Sequence, residues 1–193
     1  MPGNVRPVTD ERDGLLAYLA HQRDLMRVAA YGLTDEQARL TPTVSSLSVG
    51  GLVKHVAFVE HNWMDIVQQR PGGQSMEAYA ENFRLGDDET LASVLARYDE
   101  VAKETESVIA SIPDLNTPVP KPGDVPWFPQ EVTAWSVRWV LLHLIQETSR
   151  HAGHADIIRE SVDGATAIPL MAGLEGWPET AWVTPWRPPV APG

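Results

Sequence analysis

Between Asp88 and Ser111, apolar residues return every three or four positions: Leu91, Val94, Leu95, Tyr98, Ala102, Thr105, Val108 and Ile109, with Ile112 just beyond. A strand would alternate in twos. Steps of three and four put these residues on one face of an α-helix. Proline and glycine divide the rest of the chain into three more stretches of this kind. The first runs from about Thr9 to Ala30. The second runs from about Ser48, a plausible N-cap, to Gln69, where Pro71, Gly72 and Gly73 end it. The last runs from about Thr133 to Val162, with Gly164 as its stop. Thr34 and Gln37 fit a capping box on a short helix that Pro42 limits. The expectation is an all-α fold, a four-helix bundle with at least one long connection. That connection is a proline-rich loop between the third and fourth helices, Pro113 to Gln130, with six prolines plus Trp127 and Phe128. Loops this long in a compact domain are often functional; the plainer alternative is a stiff crossover covering an apolar patch. From about residue 165 a tail carries Trp177, Trp182 and Trp186 among prolines, and these indoles are expected to dock back on the body. A strand pair is expected nowhere except for a short extended stretch in the tail.

The 193 residues fit one domain, 1–193, tail included. A formal net charge of -11 and the absence of a basic face speak against a nucleic-acid partner. Ala134 to Ile145, the most apolar run, is too short to span a bilayer and contains Arg138 and His143. Met1 to Gly14 has no apolar core of a signal peptide. A cytoplasmic protein without membrane contact is expected. There is no cysteine. Disulfides, cysteine-ligated zinc and a cysteine nucleophile are therefore excluded, and sulfur chemistry would need a borrowed thiol.

The chemistry concentrates in the fourth helix, where His143, Glu147, His151 and His154 follow one another. At about 100° per residue all four lie within an arc of about 80°. Neighbours three or four apart have Cβ atoms about 5–6 Å apart, close enough to share one ion. Glu147 and His154, about 10 Å apart along the axis, cannot. Three pairs remain: 143/147, 147/151 and 151/154. Several ionisable groups on an inward stripe must be neutralised, solvated or metal-bound, since burying them bare costs several kcal/mol. A third ligand would come from a facing helix, and the second offers His55, on a face with Leu52, Val59 and Asn62. His61, about 120° around, is expected to face solvent. His21 has no evident partner.

The run from Glu147 to Glu160, Glu-Thr-Ser-Arg-His-Ala-Gly-His-Ala-Asp-Ile-Ile-Arg-Glu, and the stretch Leu47 to Trp63 resemble the DinB-like superfamily. Within it they most resemble the mycothiol-dependent branch, which includes mycothiol S-transferases and the metal-binding domain of maleylpyruvate isomerase. Many DinB-like proteins have histidine in place of Glu147 and Arg-Gly-Gln in place of Ala152-Gly153-His154; the Glu147 and His154 variants are those of the mycothiol branch. The resemblance covers roughly residues 10 to 165. It implies a DinB/YfiT-like four-helix bundle holding a divalent metal, usually zinc, on His55, Glu147 and His151; nickel, manganese and iron also suit such ligands. His143, His154 and Gln146 would then stand behind the ligands or handle protons. The implied activity is a metal-dependent thiol S-transfer, in which mycothiol, activated as thiolate, adds to a small electrophile. A homodimer is a further implication. Maleylpyruvate isomerase has an additional C-terminal domain that helps form its active site; this chain ends soon after the bundle, so that isomerisation is not expected. Two other classes fit the same ligands: a metal-dependent hydrolase, such as an amidase, and a non-catalytic, stress-related metal-binding bundle.

Overall fold

A computed structural model describes residues 3–70, 76–121 and 128–188. Four long helices form the body: α1 (Glu11–Ala30), α3 (Val49–Val67), α5 (Leu91–Ser111) and α6 (Val137–Asp163). Three short ones join them: α2 (Asp35–Arg39), α4 (Met76–Glu81) and α7 (Ala167–Leu174). The helix starts follow local chemistry. Asp10, Ser48, Thr90 and Ser136 each accept a hydrogen bond from the backbone three residues on, satisfying an amide the helix leaves free. Thr34 and Gln37 complete the capping box of α2. Gly164, at φ 76°, closes α6 in the left-handed conformation that costs glycine nothing.

Contacts fix the directions. Arg138 bonds Glu11 at one end of α6, and Arg159 donates to the carbonyls of Ala29 and Tyr31 at the other, so α1 and α6 run parallel. Arg12 reaches the carbonyls of Ile109 and Ile112 while Arg27 pairs with Asp99, so α5 is antiparallel to α1. Lys54–Glu89 and Arg70–Glu104 make α3 and α5 parallel. The chain must therefore return along the body between them, and it does so through α4 and Phe83. Two apolar clusters fill the interior. One gathers Met26, Leu52, Val56, Tyr98 and Ile158; the other gathers Leu19, Trp63, Ile109, Leu141 and Leu144. Each fully buried Leu or Met contributes roughly 1.5–3 kcal/mol.

Three expectations need correction. The strand pair lies in the connection between α5 and α6, not in the tail: β1 (Pro118–Pro120) pairs antiparallel with β2 (Ala134–Ser136). The extended residues 134–136 delay α6 from Thr133 to Val137, and Ser136 caps it. Trp127, with residues 122–126, lies outside the described residues. In the tail, Trp186 docks as expected: its amide donates to the Pro169 carbonyl (2.8 Å), and Arg159 sits over its ring at 4.7 Å. Gly32 makes room, since a Cβ there would stand 2.6 Å from the indole. Trp177 packs partly on the same patch. Trp182 does not dock; it is 94% exposed at the tip of a turn held by Thr180. Among the described residues no helix is long and apolar enough to cross a membrane.

Candidate metal centre

The site begins with a glycine pair. Gly50 and Gly51 open α3, and a Cβ on Gly51 would lie 2.0 Å from the Phe83 carbonyl oxygen. Without side chains there, the returning chain lies directly against α3. This brings Phe83 flat onto the His55 ring, with centroids 3.6 Å apart and 19° between planes. Tyr79 of α4 adds an edge contact at 5.8 Å. His55, flanked by Leu52, Val56 and Val59, is 0% exposed.

From α6, Glu147 and His151 meet it. His55 Nε2 stands 3.4 Å and His151 Nε2 3.2 Å from the same oxygen, Glu147 Oε1. The two imidazole rings are 4.8 Å apart at 76°, and the ligand atoms of all three residues lie within 4.8 Å of one another. The hydrogen bonds from His151 and then His55 hold the Glu147 carboxyl far below the usual carboxylate range, although burial opposes them. Burial pushes His55 down, toward neutral imidazole. Burial also pushes the Tyr79 hydroxyl up, and the Glu147 charge adds to that. Neither Nδ1, on His55 or His151, has a protein hydrogen-bond partner, though both atoms are buried. Solvent reaches the cluster at Glu147, whose side chain is 23% exposed.

This donor set fits a divalent cation. Two donors each about 2.0–2.1 Å from a tetrahedral zinc stand about 3.3–3.4 Å apart, and the two His–Glu separations are 3.2 and 3.4 Å. Of the three pairs open from spacing, the structure unites 147/151 with His55. His154 stands behind His151, with ring centroids 5.5 Å apart. His143 turns to aromatic company: it stacks on Trp139 (5.1 Å, 11°) and meets the edge of Trp63 (5.3 Å). Gln146 is exposed on α6. His21 is half-buried, and its Nε2 has no partner.

His61 is a correction. Instead of facing solvent it is half-buried, with Nδ1 3.0 Å from Glu104 and Nε2 3.7 Å from Asp65. Its angle on α3 was readable, but not that α5 stands opposite. His61, Asp65 and Glu104 also converge closely enough for an ion, but Arg70 bonds both carboxylates and supplies the positive charge. A cleft of about 290 Å³ lined by Lys54, Phe58, His61 and Arg97, and another of about 590 Å³ beside Tyr31 and Leu95, both lie away from the triad. Donor chemistry and burial mark the site here; cavity size does not. Spacing arguments also passed over Trp139, one turn before His143 on α6, and Trp135 of β2, which stacks on it at 4.4 Å.

The comparisons with known proteins bear on the family and the fold. The model of the mycothiol-S-transferase family matches residues 14–164, well over half of the chain. No curated protein matches. Among solved structures, a conserved protein from Enterococcus faecalis is similar at TM-score 0.62 and 14% identity, covering 82% of this chain and 100% of that one. At that identity the likeness concerns the fold alone.

Proposed function

The chain belongs to the mycothiol-S-transferase family, and from that premise we propose that it joins mycothiol to a small electrophile, using a divalent cation held by His55, Glu147 and His151. Zinc is the first candidate, since two imidazoles and one carboxylate suit it and leave a fourth tetrahedral position for an outside ligand. The observation that carries the reading is the convergence of two buried imidazole Nε2 atoms on one carboxylate oxygen at 3.2 and 3.4 Å. A cation bound there supplies Lewis acidity that favours the thiolate, the nucleophilic form of a thiol.

The chain's own residues do the rest. Glu147 contributes one negative charge and stays ionised in the company of the two histidines. His55, kept toward neutral by burial, offers a lone pair. Phe83 and Tyr79 cover the His55 side and keep water from it. The chain has no cysteine, so the sulfur must come from the co-substrate.

The test uses purified protein loaded with zinc, mycothiol and monochlorobimane. The expected result is conjugate formation well above the uncatalysed rate, removed by chelation and restored by zinc. A rate equal to background across zinc, nickel, manganese and iron sinks the transferase reading. Amide hydrolysis in its place would favour a hydrolase, and stoichiometric metal with neither reaction would favour a non-catalytic role.

A further inference from the structure

We propose that the aromatic ladder Trp135–Trp139–His143, walled by Trp63, seats the electrophile and selects a flat, electron-poor ring. This rests on the transferase reading above and names the substrate class that reading leaves open.

Trp139 and His143 stand one turn apart on α6, in line with Glu147 and His151, and Trp135 of β2, just before the helix, stacks on Trp139. Trp135 and Trp139 lie parallel within 9° at 4.4 Å, and Trp139 and His143 within 11° at 5.1 Å. Trp63 of α3 crosses all three at 5.7, 5.5 and 5.3 Å and fixes their tilt. The stack thus climbs α6 toward the triad. One face of His143 is taken by Trp139. Among the described residues no ring stacks on the other face, which looks up the column to Glu147. The three rungs are only half-buried, so a ligand can reach them. His143 lies about 6 Å, one turn, from the Glu147 level, so a ring laid on that face sits between the two.

The electronic character of the ladder decides the class. The open face belongs to an imidazole backed by two stacked indoles, and aromatic faces carry negative quadrupole charge, so electron-rich rings gain least by stacking on it. A ring stripped of π density by nitro or carbonyl groups gains most. With an activated aryl halide the chemistry closes without an oxidant. The thiolate lone pair forms the C–S bond, and the ring electrons move onto the nitro groups. They return as the C–halogen bond breaks, and halide leaves with its pair. The thiol proton goes to solvent.

The test separates binding from turnover. In zinc-free protein, 1,3-dinitrobenzene, which has no leaving group, is titrated by calorimetry. Saturable binding is expected, weakened about 10-fold or more in Trp139→Leu and largely kept in Trp139→Phe. In zinc-loaded protein, kcat/KM with mycothiol is compared for 1-chloro-2,4-dinitrobenzene and the compact iodoacetamide. The aryl-to-alkyl ratio should fall about 10-fold in Trp139→Leu. If that variant cannot bind one equivalent of zinc, His143→Leu replaces it. Equal binding in wild type and a zinc-competent variant, no binding to wild type, or an unchanged ratio overturns the proposal. Saturable, Trp139-dependent binding with no transfer to either electrophile upholds the subsite and sinks the transferase reading.

Discussion

Two carboxylates, one buried and one half-buried, pin α3 to its neighbours, and they are treated in opposite ways. Glu60 is 1% exposed and meets Arg23, 2% exposed, through two hydrogen bonds at 3.1 and 2.5 Å; Thr105 donates a third at 2.6 Å. Charge and lone pairs are answered by protein alone. Glu147 meets two imidazoles on a single oxygen, both with an unpartnered Nδ1, and solvent touches it. A carboxylate matched by a guanidinium is a fastener. One matched by imidazole nitrogens, with no guanidinium beside it, has room for a cation. The His61, Asp65 and Glu104 cluster belongs with the first kind, because Arg70 has already taken the cation's place.

The largest effect should come from the fastener. Glu60→Ala leaves Arg23 charged and buried without its main partner. It should destabilise the protein by about 3–5 kcal/mol in denaturant titrations, since breaking a buried pair is far costlier than replacing both members. A loss below about 1 kcal/mol would show that the two carboxylates do not differ as argued. Next comes the ligand side. At 100-fold excess over Kd, zinc should stabilise the wild type by about 2.7 kcal/mol. His151→Ala or His55→Ala should remove that increment and the stoichiometric metal with it. Full metal content in either variant would remove that residue from the ligand set.

The long helices were legible because their information is local. Apolar steps of three and four, Ser48, the Thr34–Gln37 box and Gly164 all act within a few residues of themselves. The family match likewise agrees with the resemblance carried by Leu47–Trp63 and Glu147–Glu160. What was missed depends on partners distant in sequence. Pro118–Pro120 has no alternation of its own and becomes a strand only because Ala134–Ser136 lies beside it. His61 was read from its angle alone, and Trp182 from its chemistry alone. Spacing offered 147/151 as one of three pairs and His55 as a facing histidine in an apolar run; the choice of His55, Glu147 and His151 as candidate ligands came from the family resemblance. Phe83 was not readable, since its place over His55 depends on two glycines more than thirty residues earlier.

That glycine pair gives a smaller and more selective test. Gly51→Ala puts a methyl group where the Phe83 carbonyl lies, so the returning chain must move away from α3. A cost of about 1–3 kcal/mol is expected, as for other overpacked contacts. Zinc affinity should fall with it, because His55 loses the ring that holds it. The Arg23–Glu60 pair, on another side of α3, should be untouched, so a double variant with Glu60→Ala should be additive within about 0.5 kcal/mol. Strong coupling between the two would mean that the regions are not independent.

The smallest effect is the acid response of the metal-free protein, and its sign follows from burial. His55 and His143 are both pushed below the ordinary imidazole value by burial. The unfolded chain therefore takes up these protons first, at pH about 6.5. Stability is complete above that pH and declines as the pH falls below it toward the folded values. Glu147 is depressed too, so its contribution is present above the unfolded carboxylate value, near pH 4.3, and is lost only as the pH falls further. Two separate acid steps are thus expected in chelator, by urea titration from about pH 7.5 down to about pH 2. His143→Asn should shrink the first step and leave the second. The fastener predicts no step of its own near neutrality, since a guanidinium stays charged throughout. A flat stability between pH 7 and 5.5 would mean that the histidines are not held neutral, and the contrast between the two carboxylates would lose its electrostatic basis.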